Sequence, residues 1–405
     1  MNTNEKAENA IRICMACDDK YAIHCASAIA SMIDNHKSEE KLEFFILNRN
    51  ISEKNKKRLQ KLANTGKSSI NFISVNPEMF KNCPVPVGMH FSLETYFRLK
   101  IPEIFPDFDK ILYIDCDVTV LGEIKELWDF DVADFYAAAC PDITQVKHLS
   151  EFIGENPYFN AGIMVINLKK WRGEKISKKC FEFIKNHPDK IIWVDQDVLN
   201  SVLCGKMAYL PRIWNLEYCP ANDVVSNLYP ESEIKLIHHI TRQKPWNVPE
   251  NRHKYARFYY KYLYKTPWKH HVFLIKFELR IRAIMKFFSV YLQNFKCKRE
   301  IEMLAKNRKI VLWGASLFVC KLIQKFGLKS ENILGIIDKN PDKSGQTVGK
   351  FRIFAPDDLK ELKPDLILSA VLFRPNMKTG IQQELDRLGL KIEICDDLFG
   401  NIKEY

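Results

Sequence analysis

An apolar run, Ile111-Leu112-Tyr113-Ile114, leads straight into Asp115-Cys116-Asp117. Residues i and i+2 of a strand point to the same side, so this spacing can aim both carboxylates at one hard cation and at a phosphate the cation carries. The chemistry to expect is that of a diphosphate. The competing explanation is plain: paired Asp residues often do no more than end a strand and cap the next turn.

The elements around the pair alternate as they do in a nucleotide-binding α/β domain. Apolar periodicity predicts strands over Ile11–Cys17, Leu42–Leu47, Ile70–Val75, Ile111–Ile114, Phe135–Cys140, Gly162–Asn167 and Ile234–Ile240. Helices are expected over Ile23–His36, over Ser52–Ala63 with Ser52 as cap and Gly66 past the end, and near Leu168–Asn186 and Asp195–Leu203. Ligands of open parallel sheets gather beyond the C-terminal strand ends. Asp18 and Asp19 follow the first strand as Asp115 and Asp117 follow a later one, so both acidic pairs are expected at one crevice.

The chain of 405 residues, 46% of them apolar, is long enough for two domains with sizeable cores. Residues 1–10 are polar and acidic, with no basic segment leading into an apolar one. No cleavable export signal is expected, and the chain is expected in the cytoplasm. Its 12 Cys residues lie mostly within apolar segments, as buried thiols do in a reducing compartment. Cys14 and Cys17 have CxxC spacing but sit inside a strand-like run with no second pair at zinc-site spacing, so core packing is expected of them.

The net charge of +11 is concentrated in one place. Residues 251–299 hold 13 Lys and Arg against one acid, Glu278, and so carry +12, which leaves the rest of the chain at −1. Aromatic residues interleave with this charge. From about Val272 to Phe295 the spacing predicts a helix with Lys269, Lys276, Arg280 and Lys286 near one stripe and Phe273, Phe277, Ile281, Ile284 and Phe288 near another. Such a helix fits the surface of an anionic membrane. It cannot span a bilayer, because no run of about 18 uncharged apolar residues occurs. A linker helix packed between domains is the structural alternative, and no nucleic-acid-binding motif accompanies the basic patch.

Several ordered blocks between Ile11 and Trp246 resemble the retaining glycosyltransferases of family 8, which include bacterial lipopolysaccharide galactosyl- and glucosyltransferases. The blocks are Ala16-Cys17-Asp18-Asp19-Lys20-Tyr21, Thr95-Tyr96-Phe97-Arg98-Leu99, Tyr113 through Asp117, Tyr158-Phe159-Asn160-Ala161-Gly162 through Trp171-Arg172, Asp195-Gln196-Asp197, and His238 through Lys244-Pro245-Trp246. Asp115 through Thr119 also fits the DxDxT pattern of aspartate-nucleophile phosphohydrolases, in which the first Asp is phosphorylated. That family needs a further Ser or Thr, a Lys and an acidic pair, and no convincing set is present.

The family resemblance implies a GT-A type domain with a site carried over position by position. Asp18 and Tyr21 would hold the nucleotide of a UDP-sugar, with Tyr21 stacking on the uracil. Asp115, Asp117 and His238 would hold Mn²⁺ or Mg²⁺, and an imidazole beside two carboxylates favours Mn²⁺. In an extended strand His239 faces away from His238, so only one of them should reach the site. Arg98, Asn160, Ala161 and Asp195 would position the donor sugar, and Asp142 would meet donor or acceptor sugar. Gln196 would lie across the anomeric carbon from the leaving group, and Lys244 would face the leaving phosphate. Ile240-Thr241-Arg242-Gln243 replaces a Gly-containing turn of the family, which removes a position where backbone could approach phosphate closely.

The last hundred residues read as a second α/β unit, resembling a small Rossmann-like domain. Strands are expected over Lys309–Gly314, Ile333–Asp338, Asp365–Val371 and Ile392–Cys395, with helices over Ser316–Phe326 and Lys378–Leu388. Gly314-Ala315-Ser316 follows a strand as a dinucleotide-binding turn does, and Asp338 stands where a ribose-binding acid would, but the later glycines are missing.

The expected organisation is a GT-A domain over 1–250, a basic aromatic helical segment over 251–299 and a Rossmann-like domain over 300–405. The expected activity is metal-dependent transfer of galactose or glucose from UDP-galactose or UDP-glucose to a surface glycan, either a lipopolysaccharide core or a lipid-linked oligosaccharide. It would take place on the inner face of the cytoplasmic membrane. The alternative from another class is a catalytically silent UDP-sugar sensor or docking protein.

Overall fold

The computed structural model describes residues 10–86, 91–143, 146–369 and 377–395, except for the side chains of Lys286, Val290, Gln293 and Leu317. The expectations for residues 1–9, Lys286 and Val371 therefore fall outside the described set. The chain divides into two compact units between Arg280 and Ile281.

The first unit begins β1 (Ala10–Ala16), α1 (Ala22–Asn35), β2 (Lys41–Asn48), α2 (Glu53–Ala63) and β3 (Ser68–Ser74). Ser52 caps α2 as expected, accepting from the Asn55 amide. Then come α3 (Ile101–Ile104), β4 (Lys110–Ile114), β5 (Val118–Val120), α4 (Lys125–Trp128), β6 (Ala137–Pro141), α5 (Ser150–Ile153) and β7 (Phe159–Asn167). It continues through α6 (Leu168–Gly173), α7 (Ile176–Asn186), α8 (Val194–Leu203), β8 (Met207–Tyr209), β9 (Leu216–Tyr218), β10 (Leu236–His239) and α9 (Ala256–Leu263), and ends within α10 (His271–Leu304). The single helix expected near Leu168–Asn186 is two, because Lys175 adopts a left-handed φ of 54° between them.

Seven strands form a mixed sheet in the order β3-β2-β1-β4-β7-β6-β8, with β3, β2, β1 and β4 parallel and β7 antiparallel to both neighbours. Its central strand β4 is apolar on both faces, as a strand covered on both sides must be. Leu112 and Ile114 enter one core with Ile11, Ile13 and Met15, while Ile111 and Tyr113 enter the opposite core with Cys14. A second sheet of three strands, β5-β10-β9, carries His238. Where β7 passes the end of β4 its register with β6 slips: Ala139 faces Met164, but Pro141 faces Phe159. Such a bulge re-aims side chains, and here it spans Asn160, Ala161 and Gly162.

The basic aromatic segment is not one element. Residues 251–280 belong with the first unit, and α9 packs its aromatic residues into the main core. Tyr259 shares a hydrogen bond of 2.8 Å with His24 Nδ1 on α1, Tyr262 accepts from Asn35 at 2.8 Å, and Tyr260 donates to the Pro245 carbonyl at 2.9 Å. Charge counting grouped these tyrosines with the basic segment because they sit among lysines, yet they are buried, with hydroxyls that find partners as buried tyrosines usually do. On α10 the pattern is different. Leu274, Phe277, Ile281, Ile284, Phe288, Tyr291 and Phe295 recur at alternating intervals of three and four and are exposed. Val272, Leu279, Cys297 and Ile301 occupy another face and are buried. Among the described residues no helix is long and apolar enough to cross a membrane.

In the second unit, β11 (Ile310–Trp313), α11 (Leu317–Gln324), β12 (Ile333–Ile337), β13 (Thr347–Val348), β14 (Phe351–Phe354), α12 (Leu359–Leu362), β15 (Leu366–Ser369), α13 (Met377–Leu388) and β16 (Glu393–Cys395) build a sheet ordered β13-β14-β12-β11-β15-β16. It is parallel except for β13, and the β13–β14 hairpin lies outside the strands expected from sequence. Asp338 follows β12 and meets the glycine turn. It accepts from the Ala315 and Asn340 amides at 2.8 and 2.9 Å and pairs with Lys343 at 3.1 Å, tying the glycine turn to the next loop.

A chain ending at residue 250 loses α9, whereas one ending at residue 280 keeps it. Removing a large buried aromatic side chain costs about 3–5 kcal/mol, and several are lost together. The shorter chain is expected to show no cooperative thermal transition by near-ultraviolet circular dichroism, and the longer one to melt sharply. Equal melting would contradict the assignment of α9 to the core.

Candidate active site

The C-terminal ends of β1 and β4, the bulge in β7, the start of α8 and the end of β10 surround a cavity of about 450 Å³. Every site residue named from sequence lines it: Asp18 and Tyr21, Arg98, Asp115 and Asp117, Asp142, Asn160 and Ala161, Asp195 and Gln196, His238 and Lys244. Asp19 does not. Its carboxylate accepts from the Ser52 amide and the Asn55 side chain at the start of α2, so the two acidic pairs do not meet as pairs.

Asp115 and Asp117 converge, but not by strand alternation. The strand ends at Ile114, the Asp115 amide still reaches the Gly162 carbonyl at 2.8 Å, and Cys116 and Asp117 form a turn. Their carboxylates reach His238 Nε2, at 3.9 Å from Asp115 Oδ2 and 3.3 Å from Asp117 Oδ1. Arg98 holds the far oxygen of Asp115 at 2.8 Å, bridges to Asp195 at 2.9 Å, and donates to the Ala161 carbonyl. Lys244 donates to Asp117 Oδ2 at 2.5 Å and to the His239 carbonyl at 2.6 Å.

These contacts set the charge of the carboxyls. Burial pushes Asp117 up, but Lys244 and His238 outweigh it and hold the group well below the usual carboxylate range. For Asp115 burial wins over Arg98, helped by the charge on Asp117, and the group is raised. Asp195 is pushed up to about 6 by burial, against the pull of Arg98 and Thr95.

A chain of hydrogen bonds fixes the tautomer of His238. The Gly162 amide donates to Asn160 Oδ1 at 3.0 Å, which also accepts from Asn215 Nδ2 at 2.9 Å. Asn215 Oδ1 therefore faces His238 Nδ1, at 3.1 Å, and that nitrogen must carry the proton. Nε2 is left facing Asp117 Oδ1 at 3.3 Å, a buried oxygen with no hydrogen-bond partner among the described residues. A ligating imidazole must be neutral, and with Nδ1 holding the proton the Nε2 lone pair and Asp117 Oδ1, 3.3 Å apart, can share a cation between them. Gly162 leaves the room for one, since a Cβ there would strike His238 and Asp115. The donor set therefore fits a divalent ion. His239 points away, as expected, and pairs with Thr119 at 3.0 Å.

The far wall orients the amide of Gln196. Its oxygen accepts from the Ala161 amide at 3.0 Å and its nitrogen donates to Asp142 at 3.0 Å. Glu217 stands beside this pair and was not picked out from the sequence. It is 2% exposed, accepts from Asn160 at 3.3 Å, and is raised well above the usual carboxylate range by burial and by Asp142. A single Glu in a three-residue strand gives no sequence signal. Thr241 takes a left-handed φ of 64°, a conformation unusual for a β-branched residue.

Comparison with known proteins agrees with this geometry. Residues 12–249 match the model of glycosyl transferase family 8, and the chain belongs to that family. General stress protein A of Bacillus subtilis is 30% identical over 65% of this chain and 96% of its own length. The lipopolysaccharide 1,3-galactosyltransferase of Salmonella typhimurium is 27% identical over 62% of this chain and 77% of its own. Among solved structures, the galactosyltransferase LgtC in complex with donor and acceptor sugar analogues is 31% identical with a TM-score of 0.56, covering 64% of this chain and 96% of that one. The fold is thus an α/β fold with a mixed sheet and GT-A-like glycosyltransferase neighbours. Residues 306–392 match a separate model, C2185-like, N-terminal.

Behind Lys244 lies a buried aromatic stack. The His24 ring stacks on Trp246 at 3.7 Å, and His253 contacts His239 at 5.1 Å with neither ring nitrogen partnered among the described residues. Burial lowers His24 to about 3 and His253 to about 4, with Lys244 adding to both. The unfolded chain takes up these protons near the ordinary value of 6.5 and the folded chain does not. Stability is therefore lost as pH falls from 6.5 toward 4. The melting temperature of a chain ending at residue 280 should drop over that window, and His253→Phe should flatten the drop. A flat wild-type profile would contradict the neutral buried imidazoles.

Proposed function

We propose that this chain is a retaining, metal-dependent hexosyltransferase that moves galactose or glucose from a UDP-sugar to a glycan carried on lipid. The observation that carries the reading is the convergence of Asp115, Asp117 and His238 on one point, with Lys244 and Arg98 on either side. Asp115, Asp117 and His238 would hold Mn²⁺, which when bound supplies Lewis-acid charge to the donor diphosphate. Tyr21 and Asp18 bind the nucleotide, and Arg98, Asn160, Ala161 and Asp195 hold the donor sugar.

As the bond from sugar to phosphate breaks, Lys244 stabilises the charge left on the diphosphate. Gln196, fixed between Ala161 and Asp142, faces the developing oxocarbenium without attacking it, because an amide is a poor nucleophile. The acceptor hydroxyl enters on the face the phosphate leaves and gives that phosphate its proton, so configuration is retained. Asp142 and Glu217 line the side where an acceptor would lie. The second unit, a parallel sheet with a glycine turn after β11, supports a Rossmann-like domain.

UDP release from a panel of UDP-sugars with and without Mn²⁺ tests the reading. Turnover should require Mn²⁺ and favour a UDP-hexose, and Asp117→Asn or His238→Ala should each lower it about a hundredfold or more, the scale of losing one positioned electrostatic group. Turnover surviving both changes would contradict the scheme, and tight UDP-sugar binding without turnover would favour the sensor.

We further infer that α10 rests on an anionic membrane surface. Support comes from its wide exposed apolar stripe, with Lys276, Arg280, Arg282, Lys296 and Lys298 on the same helix. The full chain should pellet with anionic but not zwitterionic liposomes, and Phe277→Glu with Phe288→Glu should abolish pelleting. Unchanged pelleting, or a dimer that the same changes disrupt, would point elsewhere.

A further inference from the structure

Three cysteines, two near the start of the chain and one from the turn after β4, meet beneath the cavity. Cys17 follows β1, Cys25 lies in the first turn of α1, and Cys116 is the residue between the two site carboxylates. Their sulfur atoms all lie within 4.8 Å of one another. None is in a disulfide, and all three are buried, at 2%, 0% and 5% exposure. Cys17 and Cys116 also form part of the cavity wall, while Cys25 lies behind them.

We propose that Cys17, Cys25 and Cys116 form a three-thiolate site for a soft divalent cation of the zinc type, entered from the donor cavity and distinct from the Asp115, Asp117 and His238 site. Zinc–sulfur bonds of about 2.3 Å place three ligands around one ion about 4 Å apart, so the cluster needs only a small contraction. The donors separate the two sites chemically, since thiolates select soft ions while carboxylates with one imidazole suit manganese or magnesium. Binding is balanced as one M²⁺ taken up and three thiol protons released, leaving a complex of charge −1.

Loading is felt at the donor site, and this part rests on the function proposed above. The Cys17 and Cys116 thiols donate to the Asp18 and Ala16 carbonyls at 3.4 and 3.3 Å. Drawing the sulfurs onto one ion turns Cys17 and Cys116 away from these carbonyls, and the contraction draws on the turn that carries Asp115 and Asp117. Uridine diphosphate binding in Mn²⁺ should weaken about tenfold, the scale of disturbing the supports of metal ligands.

The test uses the full reduced chain with excess Mn²⁺ to fill the carboxylate site and Cd²⁺ as the probe. One equivalent should saturate a thiolate-to-cadmium absorption band and release three protons. Cys25→Ser should remove the band, and Cys180→Ser, a buried thiol elsewhere, should not. No band at one equivalent, or an equal band in Cys25→Ser, overturns the site. If Cys25→Ser does not fold, cadmium NMR of the wild-type chain decides: a sulfur-ligand shift supports the site and an oxygen-ligand shift overturns it. Uridine diphosphate affinity unchanged by Cd²⁺ overturns the coupling. Because the band is read without turnover, a failure of the transferase reading leaves this result distinguishable.

Discussion

Two carboxylates held out of water within reach of each other are costly unless cations face them, and the architecture of the first unit is arranged around that constraint. Arg98 and Lys244 answer the two charges separately, Arg98 at Asp115 and Lys244 at Asp117. Each cation is also anchored to backbone, Arg98 on the Ala161 carbonyl and Lys244 on that of His239. The compensation is incomplete: Asp115 remains raised, and one buried oxygen of Asp117 has no hydrogen-bond partner among the described residues. A site balanced in this way accepts one further positive charge readily and would tolerate the loss of either existing one poorly.

The remaining geometry follows from the need to hold these groups at fixed range. The bulge in β7 presents the Gly162 amide to Asn160, and through Asn215 that single backbone donor decides which nitrogen of His238 faces the carboxylates. On the other side, α9 packs Tyr259 onto Trp246 at 4.8 Å and against His24, so the strand-to-helix crossing that delivers Lys244 is braced by rings. Depressed imidazoles in that stack are the consequence of choosing rings that carry nitrogen for a dry location.

Much of this was legible in the residues, because alternation of apolar runs and helical periods marks strands and helices wherever the two faces of an element differ from its ends. The family blocks named side chains that the structure gathers at one crevice, although Asp115 and Asp117 meet across the turn at Cys116 and Asp117 rather than along a strand. What stayed hidden shares one physical cause. Glu217, Asn215 and the cluster of Cys17, Cys25 and Cys116 acquire their environments only when distant elements close over them. The tyrosines of α9 misled in the opposite sense, since neighbours in sequence are lysines while neighbours in space are α1 and the sheet. Local composition reports the former.

Backbone strain marks the same region. Among the described residues four non-glycine positions have positive φ, and two of them, Val194 and Thr241, are β-branched residues on the cavity wall. A β-branched side chain resists that conformation, so it persists only where the surroundings over-determine it. At Thr241 they do: the hydroxyl accepts from the Gln243 amide at 3.2 Å and meets Cys219 at 3.2 Å, closing a turn that a glycine would leave loose. The turn ends at Lys244, whose ammonium must reach Asp117 without water between them. Val194 opens α8 one residue before Asp195 and two before Gln196. Strain on both sides of the cavity thus falls next to the groups whose position matters most, and relieving it by substitution would free the side chains that the carboxylates require to stay still.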